Sequence, residues 1–203
     1  MNTTRRYDSP TRRAKAAATR CAILEAFVEQ LSQQGRDGLS PSEAAARAGV
    51  SLRTVHAHFR NREAQLAAVA EWIERYTYPN GITPANGPDD LTRYYLEVHT
   101  LALASPLTRV LLSSRGSPDW VAIRRQRRAE RLEAIRVAVE QIGAPARETQ
   151  EATAMLLTLA GADASLPLHD VHGVPMERVP HVIADTVGLI VRELQRQAAA
   201  HSA

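Results

Sequence analysis

The stretch Leu39–Leu66, LSPSEAAARAGVSLRTVHAHFRNREAQL, carries three helix starts and one clean stop. Ser40 is a good N-cap, Pro41 suits the first helical position, and Glu43 completes a capping box. These residues predict a short helix from Pro41 to about Ala48, closed by Gly49. Val50 then points inward, and Ser51 caps a second short helix from Leu52 to about Phe59. Asn61 caps a third, with Glu63 favourable in its first turn. That third helix continues through Leu66, Val69, Ile73 and Tyr76. Two short helices joined by a glycine-bearing turn fit a helix-turn-helix.

The second of these helices has little to bury. Val55 and Phe59, four residues apart, anchor it, and its other faces stay free for outside contacts. In a helix-turn-helix the second helix enters the DNA major groove by its N-terminus. Leu52 and Arg53 then sit deepest. Arg53 can donate two hydrogen bonds to guanine O6 and N7, and Leu52 can meet a thymine methyl. Thr54, His56 and His58 lie within reach of phosphates, and Arg62 adds a cation beside the next helix N-terminus. Ser40, Ser42, Arg47 and Ser51 complete the candidate DNA-contacting set.

Outward from this stretch the pattern is helical almost throughout, and the expected fold is all-α. Residues from about Thr11 to Gln34 place Ile23, Phe27 and Leu31 at steps of four, and Gly35 ends that helix. Thr77–Pro88 is rich in proline, glycine and asparagine, which marks a loop and the expected domain boundary. Beyond it, Leu91, Tyr95, Val98 and Leu101 mark one helix, and Pro106–Leu112 a short one. A long helix starts at Ser117-Pro118-Asp119 and ends near Gly143, and another runs from Glu148 to about Ala164. Leu166–Pro175 reads as a loop, followed by a final helix to about Ala199. The expected organisation is a basic flexible arm over residues 1–17 and a helix-turn-helix domain over 18–62. A connecting helix over 63–76 and a loop over 77–88 lead to a helical C-terminal domain over 89–203.

Composition narrows the function classes. Hydrophobic residues make up 44% of 203, enough for a proper core, while aromatics are only 4%, which favours helix over sheet. No apolar run approaches the roughly 20 residues that span a bilayer, and no apolar segment follows the basic N-terminus as in a signal peptide. The single cysteine, Cys21, allows no internal disulfide, so a reducing cytoplasm is expected. Formal net charge is +3, yet Arg5, Arg6, Arg12, Arg13, Lys15 and Arg20 stand against Asp8 alone near the N-terminus. A basic arm on a nearly neutral body suits a local polyanion contact.

The segment from Leu39 to Leu66 resembles the DNA-binding domain of the TetR family of bacterial transcriptional regulators. The elements match in order: the short capped helix, Ala-Gly-Val-Ser, Thr-hydrophobe-x-x-His-Phe, then Asn-Arg-Glu with Leu following. The resemblance covers residues of about 18–75. Lysine is usual in the family where Arg62 stands, which keeps the charge. Tyrosine or another aromatic is usual at His56, and isoleucine or leucine at Ala44, so Ala44 thins the small core. The resemblance implies a homodimer whose paired recognition helices read a near-palindromic operator, with a small-molecule inducer bound in the C-terminal domain releasing the DNA. Repression is the family's common mode. Two-fold symmetry makes geometric sense of this, since it spaces recognition helices about 34–36 Å apart, one turn of DNA.

Other features have plainer roles beside functional ones. His56-Ala57-His58 do not share a helix face, and neither they nor His169-Asp170-Val171-His172 have a ligand set at metal spacing, so neither metal nor cofactor is expected. Tyr94, Tyr95, His99, Trp120 and Met155 are candidates to line a mostly apolar ligand cavity, although core packing is the commoner job of such residues. Arg128 interrupts the apolar stripe Val121, Leu132, Ile135, Val139 and Ile142. A buried arginine needs an anionic partner, here either an acidic side chain or an anionic ligand; otherwise the first half of that helix is exposed. The last two helices carry apolar residues beyond one narrow face, which pairing in a four-helix bundle with a second copy would cover. The leading expectation is a ligand-responsive DNA-binding regulator. A helical protein-binding adaptor is the alternative. An enzyme is less favoured, for no nucleophile elbow, phosphate-cradling glycine loop or metal-ligand set is seen.

Overall fold

A computed structural model describes residues 10–34, 39–108 and 118–202, leaving aside the side chains of residues 34, 118–121, 123–125, 127–128 and 162. The described residues are helical with no strand. The helices are α1 (Pro10–Gln34), α2 (Pro41–Arg47), α3 (Leu52–His58), α4 (Arg62–Thr77), α5 (Leu91–Ala104), α6 (Pro118–Glu140), α7 (Ala146–Leu159), α8 (Ser165–Asp170) and α9 (Val179–His201). Short 3-10 turns at Pro88–Asp90 and Ala162–Ala164 precede α5 and α8.

Two compact units divide the chain, and the seam falls inside α4, between Trp72 and Ile73. This corrects the boundary expected in the loop Thr77–Pro88. That loop belongs to the second unit because Ala85 is buried in its core and Ile82 packs against the same cluster. Residues 118–121 group with the first unit and the rest of α6 with the second. A second correction concerns the N-terminal arm. Helix α1 already begins at Pro10, so residues 10–17 of the expected arm are helical; four alanines among residues 14–18 are the strongest helix formers available.

In the first unit, α1 supplies Ile23, Phe27 and Leu31 to the core, each essentially inaccessible to water. Ala44 of α2, Val55 of α3 and Val69 of α4 are fully buried beside them. In the second unit, α5 and α9 pack along one another. Leu91 and Tyr95 of α5, Ile135 and Val139 of α6, Leu156 of α7 and Val187 of α9 form its centre. Glu74, in the last turns of α4, pairs with Arg131 of α6 at 2.7 Å, and the Arg131 guanidinium lies 5.6 Å from the Tyr78 ring centre.

Elsewhere the sequence reading needs adjustment. The segment Leu166–Pro175, expected as a loop, starts as helix: α8 runs Ser165–Asp170 and the turn follows it. Six residues are too few to show a 3.6-residue period, so the pattern could not reveal α8. Helix α7 ends at Leu159, about a turn early, and a 3-10 turn takes up Ala162–Ala164. The short helix expected over Pro106–Leu112 falls mostly outside the described residues.

Candidate nucleic-acid interface

Local sequence chemistry builds the turn between α2 and α3. Ser40 is extended at φ −107° and ψ 109°, and its hydroxyl accepts the Glu43 backbone N–H at 3.3 Å. At the other end of α2, the Val50 N–H reaches the Ala45 carbonyl at 2.9 Å and the Gly49 N–H the Ala46 carbonyl at 3.3 Å. This is the Schellman closure, and it needs a left-handed residue. Gly49 provides it at φ +63°. Ser51 then caps α3, its hydroxyl accepting the Thr54 N–H at 3.1 Å. Asn61 caps α4 by accepting the Ala64 N–H on Oδ1 at 2.9 Å.

These caps fix which face of α3 turns outward. Val55 and Phe59 are 0% and 1% exposed, whereas Leu52 is 45% exposed. Arg53 and His56 are exposed as well, and Thr54 and His58 are half-buried. Arg62 is exposed on the first turn of α4. One short helix therefore presents an apolar tip, a guanidinium and an imidazole beside one another. That mixture suits base edges and phosphates together. The Thr54 hydroxyl is shared with Ser51 Oγ at 2.8 Å, and the Ser40 and Ser42 hydroxyls bond to each other at 3.0 Å. Ser40 and Ser51 therefore act as caps while their hydroxyls also bond to Ser42 and Thr54.

Arg47 has a different role. Its guanidinium pairs with Glu29 at 3.0 Å and donates to Gln33 Oε1 at 3.1 Å, tying α2 to α1. Two further tethers escaped the sequence reading. Gln30 is fully buried. Its amide donates to the Ser40 carbonyl at 3.2 Å and accepts the Ser40 N–H at 3.0 Å, so it grips the start of α2 as a neighbouring strand would. The signal was an amide set between Phe27 and Leu31 in an otherwise apolar stripe. Arg20 is the other tether: its guanidinium stands 4.5 Å from the Phe59 ring centre.

Apart from Trp120, the candidate ligand residues belong to the second unit, and the structure brings three of them together. Tyr94 and Tyr95 meet edge to face at 5.5 Å, and Tyr95 and His99 stack at 6.2 Å. All three are buried. The Tyr95 hydroxyl donates to the Leu156 carbonyl at 2.5 Å. Burial first, then the neighbouring Tyr94, push its ionisation far above the ordinary tyrosine range, so it acts only as a neutral donor. His99 Nε2 meets the Leu159 carbonyl at 2.9 Å and Nδ1 meets the Ser165 hydroxyl at 2.6 Å. A carbonyl can only accept, so Nε2 carries the proton; in the neutral ring Nδ1 then accepts from Ser165.

Met155 departs from this cluster. It is 55% exposed, because α7 buries Ala152 and Leu156 and turns the intervening Met155 outward. The side chains of Trp120 and Arg128 lie outside the described residues. Beside Tyr94, Tyr78 and Arg131 there is a void of about 10 Å³, room for about one water. A larger groove of about 490 Å³ runs along the opposite side of α5, lined by Leu96, Leu101, Pro79 and the Arg93–Glu97 ion pair. Among the described residues no group of His, Cys, Asp and Glu could hold a metal ion. No helix among them is long and apolar enough to cross a membrane.

Comparison with known proteins bears on both units. Residues 23–69 match the family of bacterial regulatory proteins, tetR family. No curated protein matches the sequence. Among solved structures, a transcriptional regulator from Rhodococcus sp. Rha1 is similar at 20% identity and a TM-score of 0.57, covering 87% of this chain and 97% of that one. NalD, the secondary repressor of the MexAB-OprM multidrug efflux pump in Pseudomonas aeruginosa, is similar at 18% identity and a TM-score of 0.58, covering 85% and 95%. A TetR variant from Acinetobacter baumannii AYE in complex with minocycline is similar at 16% identity and a TM-score of 0.52, covering 86% and 94%. At such identities these likenesses establish the shared all-α fold.

Proposed function

We propose that the chain, whose residues 23–69 match the tetR family of bacterial regulatory proteins, is a ligand-responsive transcriptional regulator. It binds a near-palindromic operator as a homodimer and acts as a repressor released by a small-molecule inducer. The observation that carries this reading is the presentation of α3. Two buried pegs hold a helix whose exposed face joins Leu52, Arg53 and His56, with Arg62 close by in sequence. In this reading Arg53 reads a guanine edge, Leu52 meets a thymine methyl, and His56, His58 and Arg62 bind phosphates. The basic residues Arg12, Arg13 and Lys15, exposed on the first turns of α1, add a second cationic contact.

Dimerisation through α7 and α9 is supported by apolar side chains those helices leave in solvent. Leu189 on α9 is 62% exposed and Met155 on α7 is 55% exposed. A second copy of the same helices would cover them in a four-helix bundle. Inducer binding belongs to the second unit, around Tyr94 and the groove along α5. An inducer acts only by the difference between its affinities for the two states, so it must fit the released form better. Tyr95 and His99 are fully occupied by internal hydrogen bonds and serve as the frame of that region.

The test is a genome-fragment binding selection on the purified full-length protein at about 150 mM salt, where weak non-specific contacts are suppressed. Recovery of one near-palindromic sequence establishes the regulator and its two-fold symmetry together. Recovery of nothing above background, in the absence of added small molecules, would favour a helical adaptor that binds protein alone.

A further inference from the structure

Helix α3 is seven residues long and hangs on two pegs. Val55 and Phe59 lie one turn apart on the same face, so they fix a line along the helix but not its roll about that line. At the N-terminal end the short turn from α2 limits this freedom. At the C-terminal end the contact comes from α1. Arg20 donates from Nη1 to the His58 carbonyl at 3.4 Å, and its guanidinium covers one face of the Phe59 ring at 4.5 Å. Phe27, two turns further along α1, meets the same ring edge-on at 5.9 Å and 76°. The His58 carbonyl is among those the last turn of α3 leaves without an intrahelical partner, and a cation is favoured there.

We propose that Arg20 is a positioning residue for operator reading: it sets the roll of α3 from its C-terminal end and touches no base or phosphate. This rests on the regulator reading above. The geometry separates two kinds of basic residue in the first unit. Arg53 and Arg62 are exposed, whereas Arg20 is half-buried, turned to Phe59 and bonded to α3. Removing it leaves both pegs in place, so α3 still forms but is presented over a range of angles. Base contacts depend on angle and suffer most; phosphate contacts tolerate a wobbling helix.

The experiment uses the full-length protein and two duplexes, one carrying the selected operator and one a scrambled sequence of the same composition. Arg20→Met keeps an apolar stem over Phe59 and loses the charge and the donor. Operator affinity should fall about tenfold, the size of one imperfect base contact, and scrambled-duplex affinity should change by less than about twofold. The slope of log affinity against log salt should stay that of the wild type. Exchange of the Phe59 amide, bonded to the Val55 carbonyl at 2.8 Å, should quicken in the free protein. Arg20→Lys, which restores the cation over the ring, should recover most of the lost preference; this variant also carries the test if Arg20→Met does not fold. A salt slope reduced by about one would make Arg20 a phosphate contact and overturn the proposal. So would an unchanged operator preference in Arg20→Met, or a loss that Arg20→Lys fails to recover. A wild type with no sequence preference would sink the regulator reading, and this proposal with it. A wild-type preference that Arg20→Met leaves intact would sink this proposal alone.

Discussion

Helices α3 and α5 use similar residue types in opposite ways. Each carries histidine and an aromatic or apolar pair, and each has side chains that could bind something. On α3 Arg53 and His56 are exposed beside two buried pegs. On α5 Tyr95 and His99 point inward and are spent on the carbonyls of α7 and the hydroxyl of α8. Tyr95 and His99 are satisfied by their own protein, while the exposed side chains of α3 stay open to solvent. The contrast warns against reading a ligand site from the presence of polar aromatics alone, since a buried polar group usually has an internal partner.

The contrast can be broken at its pegs first. Phe59→Ala should cost about 3–5 kcal/mol, because the ring fills space between Phe27 and Arg20. Chemical denaturation followed by hydrogen exchange should localise the loss to the first unit. Loss spread evenly over both units would deny that α3 has its own anchorage. On the inward side, His99→Leu should cost about 1–3 kcal/mol by stranding the Ser165 hydroxyl and the Leu159 carbonyl. A thermally neutral His99→Leu would return His99 to the list of ligand-binding candidates.

Tyr95 sharpens the same point through pH. Its folded-state ionisation lies above the ordinary value, by burial and then by Tyr94. The stability it contributes is therefore fully present below about pH 10, the ordinary tyrosine range, and declines above it as the unfolded phenol ionises. Tyr95→Phe should flatten the alkaline fall by about 1.4 kcal/mol per pH unit. Denaturant midpoints measured across that range would reveal it, and parallel falls in both proteins would contradict the buried, neutral assignment. The smallest effect belongs to the cap. Ser51→Ala removes the acceptor for the Thr54 N–H and should cost about 1 kcal/mol in a thermal melt. A cost near zero would mean the turn, not the cap, starts α3.

Legibility follows the same division. The start and stop of α2, α3 and α4 could be read because Ser40, Pro41, Gly49, Ser51 and Asn61 act on backbone within a few residues of themselves. The two pegs were legible for the same reason, being four apart on one turn. Contacts between distant segments were not. Gln30 is an amide in a core stripe, and only the Ser40 backbone, ten residues on, supplies its partner. Arg47, expected as a DNA contact, also pairs with Glu29, a contact its place in the sequence does not announce. Met155 and Leu156 are adjacent, and only packing in the second unit decides that Leu156 turns in. The domain seam was hidden inside α4 because a helix that continues across two cores shows no break in its period, while the loop after it advertises one.

The most direct test of the central claim repeats the genome-fragment selection with Arg53→Ala beside the wild type. Arg53 is exposed near the start of α3, so the variant should fold as the wild type does. The account predicts that the operator is still recovered, weakened by about 1–3 kcal/mol, with preference relaxed at one base pair in each half-site. An unchanged operator with all its preferences intact would contradict it, and would move base reading away from the exposed face of α3.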